Sequence, residues 1–285
     1  MFLGGDNGAM DDSSEDRIPK NRCPLHAAVM SSFHDTRSRG YQGLMTIESE
    51  NRFDDCERMG VYRAITSRRD VRSQFTAARI PDDVIARLLA AAHHAPSVGF
   101  MQPWEFIVIR DERIKRDIHS NFEQQNRIAA ETYEGDRRFL YEQLKLAGIL
   151  EAPINLCVTC NKSLARGKGL GRQTMPETPI YSTVCAIQNL WLAARAEGVG
   201  VGWVSILDVE SLRRSLSIPN HIEPVAYLCL GYVRAFAERP DLEASGWEHR
   251  AQLADLIHFD QYGETDHDQA AQLLTSLSHD PAISL

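Results

Sequence analysis

The chain has 285 residues, of which 43% are apolar and 25% are charged, a composition typical of a globular protein with a substantial core. Its net charge of −8 argues against general nucleic-acid binding, which requires a basic face. The sequence contains neither a run of about 18 apolar residues nor a basic-then-apolar leader, so we expect a cytoplasmic protein without membrane contact.

Residues 1–57 carry Gly, Asn, Asp, Ser and Arg in mixed order, which predicts a disordered or loosely attached extension. A helix is expected to begin near Gly60. Pro81 opens a second helix that runs to His93-His94. Adjacent histidines on a helix point about 100° apart, which favours capping or packing over metal binding. One face of this helix is apolar, with Val84, Ile85, Leu88, Leu89 and Ala92.

A cationic segment, Arg68-Arg69-Asp70-Val71-Arg72, follows the first helix. Three guanidiniums around one carboxylate form an anion-binding cradle that contains a potential acid or base. Each charge-assisted hydrogen bond in such a cradle contributes roughly 1.5–3 kcal/mol. For an arbitrary Arg-Arg-Asp, a solvated basic turn is the alternative. Two later segments favour the binding site.

The first of these, Ala95–Trp104, is a loop punctuated by Pro and Gly that leads into a predicted strand, Phe106–Ile109. A loop that ends at a buried strand is a common place for ligand contacts. The second, Gly198–Ser205, is a predicted strand with alternating glycines, which we expect to let a flat ligand approach the backbone. Either segment alone could be purely structural.

Strands separated by long helices predict an α+β sandwich. On the helix over 181–197, Val184, Gln188, Trp191 and Leu192 form a stripe that fits either a core or a dimer contact. A polar tail is expected over 261–285. The remaining predicted elements are helices over 112–130, 137–146 and from Asp208, strands over 154–159, 199–206 and 225–233, and an amphipathic segment over 253–259.

Two further motifs are weak indicators of function. Cys157 and Cys160 form a C-x-x-C on a predicted strand, where their sulfurs fall on opposite faces, so no metal site is expected and the cysteines are interpreted as reduced, buried thiols. The glycine-rich segment Gly167–Arg172 does not fit the spacing of known phosphate loops. We interpret it as a mobile lid, with a phosphate cradle as the alternative.

Taken in this order, the three segments resemble the nitroreductase superfamily of flavin proteins, which carries an Arg-Arg-Ser-x-Arg motif, a Pro-Ser…Gln-Pro-Trp loop and a later glycine-rich strand. The resemblance runs from about Val61 to about Phe259. Further segments, including Glu151–Thr159, resemble the sequences of one branch of this superfamily. That branch uses dioxygen to convert reduced FMN into 5,6-dimethylbenzimidazole, the lower base of cobalamin. The resemblance implies a flavin domain over 58–260, with a mixed sheet wrapped by helices in an intertwined homodimer.

The resemblance also implies which residues bind reduced FMN. Arg68, Arg72 and Arg250 are expected to hold its phosphate, and Arg69 and Ser97 to contact its ribityl chain or isoalloxazine edge. Arg250 precedes Ala251-Gln252, where relatives usually carry Pro-Leu, so this assignment departs from the family pattern. Additional cofactor contacts are expected at Asp70, Val71, Gln102, Trp203, Val204 and Ser205.

Two substitutions distinguish this chain from an ordinary nitroreductase. Asp70 stands where a hydroxyl residue is usual, and Phe100 stands where an Asn commonly contacts the flavin. Asp70 is the candidate general acid or base, with a structural ion pair as its alternative role. Ser205 is the candidate hydrogen-bond partner that orients the oxygenated flavin or the hydroxyl to be oxidised, and a plain strand hydroxyl is its alternative.

Three functions are therefore considered. The first is the synthase reaction, which releases a four-carbon sugar phosphate and needs a separate flavin reductase to supply reduced FMN. The second is an NAD(P)H-dependent nitroreductase or flavin reductase, against which Asp70 and Phe100 count. The third is a non-catalytic flavin-binding module, which would leave an acid or base in the phosphate motif unexplained.

Overall fold

A computed structural model describes residues 51–164, 166–275, 277 and 283. The predicted extension over 1–57 lies almost entirely outside these residues. From Met59 onward the described chain belongs to one compact unit. Along the described residues, no helix is both long and apolar enough to span a bilayer.

Four strands form one antiparallel sheet in the order β1-β2-β4-β3. Their bounds are Trp104–Ile109 for β1, Ile154–Asn161 for β2, Val199–Val204 for β3 and Ile222–Tyr232 for β4. A mixed sheet was expected, which contains both parallel and antiparallel pairs. In the described chain, the parallel pairing is an isolated bridge between Asp70 and Val201. Each predicted strand is present, with ends that differ by a few residues.

Eight α-helices surround the sheet in the described part of the chain. The helix predicted over 112–130 is confirmed at both ends, because the Asp111 carboxylate accepts from the N–H groups of Arg113 and Ile114 and caps it. The bounds are Asp55–Ser67 for α1, Asp82–His93 for α2, Glu112–Ala130 for α3, Gly135–Gln143 for α4, Thr178–Ala196 for α5, Val209–Leu216 for α6, Asp241–Ala244 for α7 and His267–Thr275 for α8.

Both faces of the sheet are covered by helices, which confirms the α+β sandwich. Alternate residues of β2 point to opposite faces, so Leu156 joins one core while Cys157 joins the other. The first core packs under α2 and α5, with Leu88, Ile187, Leu190, Val158 and Leu228. The second packs under α3 and α6, with Ile118, Phe122, Leu212, Tyr227 and Cys229.

Helix α5 has one buried and one exposed side. Trp191 of the predicted stripe is buried, whereas Val184 and Gln188 are exposed together with Tyr181. The stripe therefore splits between the core and the surface. An exposed apolar side on a long helix is typical of a surface that contacts another protein.

The histidines and cysteines have structural roles that were only partly predicted. His94 is the C-cap of α2, and the Nδ1 of His93 accepts from the Trp104 indole at 3.2 Å, which confirms capping and packing. Cys157 is fully buried, and burial raises the pKa of its thiol to about 12. The prediction of buried thiols is wrong for Cys185, which is exposed on α5.

The C-terminal part of the chain is more structured than its polar composition indicates. Helix α8 lies within the predicted polar tail and buries Ala270. The amphipathic segment over 253–259 forms only a short 3-10 turn, Leu253–Leu256. Helix α8 was not predicted because a single small buried residue, Ala270, does not produce a recognisable helical pattern in the sequence.

Candidate active site

The cationic segment runs from the end of α1 to the glycine-rich strand β3. The Val71 N–H donates to the Val201 carbonyl at 3.0 Å, so Asp70 and Val71 extend the sheet by one short parallel contact. A Cβ atom at Gly202 would lie 2.0 Å from the Val71 carbonyl oxygen. The close approach at Gly202 is thus made by the protein's own backbone, and the approach at Gly200 by the side chains of Val71 and Val233. The contact of a flat ligand with this strand stays a prediction.

This contact fixes the Asp70 carboxylate. Its Oδ1 accepts from the Trp203 N–H at 2.9 Å, and its Oδ2 accepts from the Arg72 guanidinium at 2.6 Å. Burial raises the pKa of Asp70, while the charge of Arg72, the Trp203 N–H and the charge of Arg68 oppose the shift. About a third of the side chain, 31%, stays exposed. A half-buried carboxylate with a raised pKa and one open edge is suited to proton transfer.

Arg69 is used differently from its predicted flavin contact. Its guanidinium donates to the carbonyls of Thr66 at 2.9 Å and Arg68 at 2.7 Å, and also to that of Glu238. The bonds to Thr66 and Arg68 satisfy backbone acceptors at the C-terminus of α1, where a positive charge also interacts favourably with the helix dipole. The Arg69 Nε is buried without a hydrogen-bond partner in the described chain.

Two residues of α5 hold the same backbone and were not predicted as part of the site. The Trp191 indole donates to the Arg69 carbonyl at 3.3 Å, and the Arg195 Nε donates to the Ser67 carbonyl at 3.2 Å. The Arg195 guanidinium also stacks on the Phe236 ring at 4.0 Å. An aromatic and a cationic residue on one helix, considered together with the Arg-rich segment, could have identified Trp191 and Arg195 from the sequence.

Several guanidiniums gather here without a carboxylate partner among the described residues. Arg68 lies over the Trp191 ring at 5.2 Å. Burial lowers the pKa of Arg68, the Asp70 charge opposes this, and the charges of Arg69 and Arg250 add to it. Burial likewise lowers the pKa of Arg195, with contributions from Arg63 and Arg69. Within the described chain no carboxylate lies within 4 Å of the guanidiniums of Arg63, Arg68, Arg69, Arg195 and Arg250.

The uncompensated charge and the buried, unpaired Nε of Arg72 are what an anion would satisfy. Repulsion among adjacent guanidiniums is costly unless a ligand neutralises it. A phosphate monoester carries nearly two negative charges and several acceptor oxygens. The residues present therefore fit a phosphorylated ligand.

The end of β3 places the other predicted contacts. Trp203 is half-buried, and its ring lies 6.4 Å from that of Trp191. Val204 is buried in the second core, so its side chain packs inside the protein. Ser205 is exposed just beyond the strand, and its carbonyl accepts from the Leu207 N–H at 3.0 Å. Of this group, the Trp203 N–H is the one that contacts the Asp70 carboxylate.

The loop with Ser97 and Gln102 lies elsewhere on the same chain. The Ser97 Oγ accepts from the Gln102 N–H at 3.1 Å, and the Gln102 Oε1 accepts from Arg166 at 2.8 Å. The loop is joined to α5 by the Val98 N–H, which donates to the Ser182 Oγ at 3.2 Å. These side chains therefore stabilise the loop and its contact with α5.

The glycine-rich segment predicted as a lid packs on this loop by backbone contact. Gly99 and Gly167 have positive φ angles of 60° and 70°, and a Cβ at Gly167 would lie 2.4 Å from the Gly99 carbonyl oxygen. Phe100, where the family carries Asn, also has a positive φ of 52° and is 73% exposed. Left-handed backbone at a residue with a side chain is costly and is concentrated at functional sites. The two segments line a cleft of about 830 Å³.

One chain does not bring its two predicted flavin-binding segments together. The Arg-rich segment contacts α5 at Trp191, whereas the Ser97 loop contacts it at Ser182. These two residues are nine positions apart, which separates them by about 14 Å along the helix axis. The segments thus lie at opposite halves of α5.

The fold and site define the class of protein. Residues 65–232 match the nitroreductase family model, and the chain belongs to this family. It is 44% identical to a 5,6-dimethylbenzimidazole synthase from Rhodospirillum rubrum, covering 70% of this chain and 93% of the relative. A 5,6-dimethylbenzimidazole synthase from Rhodobacter capsulatus is 39% identical, covering 69% of this chain and 94% of the relative. The resemblance to this branch is confirmed.

A solved structure supports the same fold. Iodotyrosine deiodinase bound to FMN and 3-iodo-L-tyrosine superimposes with a TM-score of 0.57 at 22% identity. The alignment covers 71% of this chain and all of that one. At this identity the likeness establishes the architecture alone.

Proposed function

We propose that this protein uses dioxygen to convert reduced FMN into 5,6-dimethylbenzimidazole, with release of a four-carbon sugar phosphate. The observation that carries the proposal is the Asp70 carboxylate, fixed between the Trp203 N–H and Arg72 inside a cluster of unpaired guanidiniums. The similarity to synthases named for this product, over more than nine-tenths of their length, supports the same reaction.

The arginine cluster is the proposed site for the FMN phosphate. Among the described residues, Arg68 and Arg250 have no carboxylate within 4 Å, and Arg72 has a buried, unpaired Nε. Charge-assisted hydrogen bonds to a phosphate are short and strong because both partners are ionised. Arg69 keeps the end of α1 in place, so its contribution to binding is mainly its charge.

When bound, reduced FMN supplies the electrons for dioxygen and the carbon atoms of the product. The protein's own part is to place a proton acceptor and to hold the ribityl phosphate. Asp70 is the proposed acid or base, because burial raises the pKa of its carboxyl and its open edge can receive a proton. Ser205, exposed beyond β3, is the proposed hydrogen-bond donor to the reacting hydroxyl or oxygen.

We also propose a homodimer with the flavin site between subunits. The exposed apolar side of α5 includes Tyr181, Val184 and Cys185. In a two-fold dimer with antiparallel α5 helices, the N-terminal half of one helix lies beside the C-terminal half of the other. The Ser97 loop of each subunit then lies beside the Arg-rich segment of its partner. Within one chain the two segments are separated by about 14 Å along α5, the length of nine helical residues.

A flavin reductase is the proposed source of reduced FMN, because the reaction consumes the flavin and needs a fresh reduced molecule in each turnover. The test is to mix the protein with excess reduced FMN in air and to analyse the products by chromatography. Dimethylbenzimidazole in amounts above the protein concentration is the expected result. Sustained oxidation of NAD(P)H with FMN conserved would indicate a flavin reductase, and simple flavin reoxidation would indicate a binding module.

Arginine variants test the phosphate site in the same assay. Arg250→Ala is expected to weaken FMN binding by at least tenfold, because it removes a charge-assisted contact of about 1.5–3 kcal/mol. Arg110→Ala is the matched control, since Arg110 is an exposed arginine that pairs with Asp82. Equal FMN affinity in both variants would argue against the proposed phosphate site.

A further inference from the structure

After Phe236, which packs against the second core, the segment that carries Arg250 supplies no residue to either core. No residue from Val233 to Gln269 is buried. A segment without buried apolar side chains is held only by local contacts and opens at low free energy. The position of Arg250 must therefore depend on contacts made by the residues close to it in the chain.

A set of such contacts surrounds Trp247, three residues before Arg250. Its ring meets that of Tyr133 edge-on, with centroids 5.3 Å apart, and lies 6.0 Å from that of Tyr141. The two tyrosines stack at 4.9 Å, and the Tyr141 hydroxyl donates to the Asn126 Oδ1 at 2.7 Å. We call Tyr133, Tyr141 and Trp247 the aromatic box. Edge-on and stacked geometries are those that aromatic rings prefer.

Arg137 of helix α4 closes the box. Its guanidinium lies 3.6 Å from the centre of the Trp247 ring, and it also donates to the Trp247 carbonyl at 2.8 Å. The Trp247 N–H donates to the Leu242 carbonyl at 2.9 Å. The ring, carbonyl and amide of Trp247 are all engaged, so this residue is fixed relative to α3 and α4.

Three residues of chain reach at most about 11 Å, so fixing Trp247 confines the backbone of Arg250 to a small region. We propose that the aromatic box and Arg137 position Arg250 for the phosphate of the flavin. Trp247 and Arg137 are then positioning residues that touch no ligand. This inference rests on the proposed function, because it takes FMN as the molecule whose phosphate Arg250 binds.

The charges nearby explain why such an anchor is needed. Burial and the charge of Arg69 lower the pKa of Arg68, and the charge of Arg250 adds a smaller contribution in the same direction. Like charges repel, so an unanchored Arg250 would move towards solvent before the ligand arrives. A fixed Arg250 avoids the entropic cost of ordering the loop at the moment of binding.

The test compares FMN with riboflavin, which lacks the phosphate, by flavin fluorescence. Trp247→Ala is expected to weaken FMN binding by at least tenfold and to change riboflavin binding by less than twofold. Trp247→Phe, which retains an aromatic ring beside Tyr133 and Arg137, should restore most of the affinity for FMN. A general loss of structure would instead weaken the binding of both flavins.

Two further comparisons assign the effect to Arg250. In an Arg250→Ala background, Trp247→Ala should cause no additional loss, because the contact it supports is already absent. Arg137→Met should reproduce the selective loss for FMN. Arg138→Met is its matched control, since Arg138 is the next residue on α4 and pairs with exposed Glu142.

The inference is overturned if Trp247→Ala affects both flavins equally, affects neither, or adds fully to Arg250→Ala. If the unmodified protein binds no flavin, the proposed function fails, and inorganic phosphate becomes the probe. Thermal stabilisation by phosphate that is lost in both Trp247→Ala and Arg250→Ala would then support the positioning role. Stabilisation that survives in Trp247→Ala, or none in the unmodified protein, would refute it.

Discussion

Substitution of Asp70 by Asn separates the charge of this side chain from its shape. The Oδ1 of Asp70 accepts from the Trp203 N–H at 2.9 Å, and an Asn carbonyl can keep that bond. The Oδ2 accepts from Arg72 at 2.6 Å, and an Asn amide, which is a donor, cannot. The variant therefore keeps the backbone contact to β3 and loses the ion pair and the ability to take a proton.

Two opposing terms set the effect on stability. Loss of the hydrogen bond to Arg72 costs about 1.5–3 kcal/mol. Burial raises the pKa of Asp70, so the ionised carboxylate is held in the native state at a cost that a neutral amide avoids. We expect the free energy of unfolding to change by no more than about 1 kcal/mol, or roughly 2–4 °C in Tm. The variant should thus fold normally.

The effect on catalysis is expected to be much larger. Arg72 is released to interact with the phosphate, so FMN affinity should be unchanged or tighter. Formation of dimethylbenzimidazole should fall by a factor on the order of 10² or more, the usual contribution of a positioned acid or base. Binding is followed by flavin fluorescence and product by chromatography, on one preparation. Product formation at the unmodified rate would refute the catalytic role and leave Asp70 as a structural ion pair.

Three other predictions follow from the same geometry. Gly202→Ala should destabilise the fold by about 1–3 kcal/mol and weaken flavin binding, because the new Cβ meets the Val71 carbonyl. Thermal denaturation and flavin fluorescence measure the two effects. Gly200→Ala, whose Cβ meets movable side-chain atoms, should lower the free energy of unfolding by less, and equal losses would contradict this. If Asp70 acts as the base, product formation should decline as the pH falls through its pKa, which burial raises above the ordinary 3.8. The same shift should lower the free energy of unfolding as the pH rises from 3.8 through the raised pKa. A decline at low pH that is unchanged in Asp70→Asn would rule out Asp70 as its cause. The exposed thiol of Cys185 should react with an aromatic disulfide reagent in dissociated protein and be protected in the dimer, with Cys185→Ser as the control. Full reaction of Cys185 in a species that sediments as a dimer would contradict a dimer contact through α5.

Local patterns in the sequence determined most of the secondary structure. Helix α3 was predicted over its full length because its residues repeat with the helical period, and the structure adds the Asp111 cap at its start. The central strands were recognised because they are short apolar runs between turn residues. The Arg-rich segment stood out because several like charges beside one carboxylate are costly without a ligand, and that cost is visible in the sequence itself.

Only the tertiary structure decided what each of these features contacts. The glycines of β3 could accommodate a ligand or a backbone, and the fold brings Val71 against them. Arg69 could bind a flavin, but the end of α1 places backbone carbonyls within its reach. Trp247 gave no signal in the sequence, because its partners Tyr133 and Arg137 lie more than 100 residues away. Residue spacing encodes local conformation, whereas the partner of a side chain depends on contacts between segments that are distant in the chain.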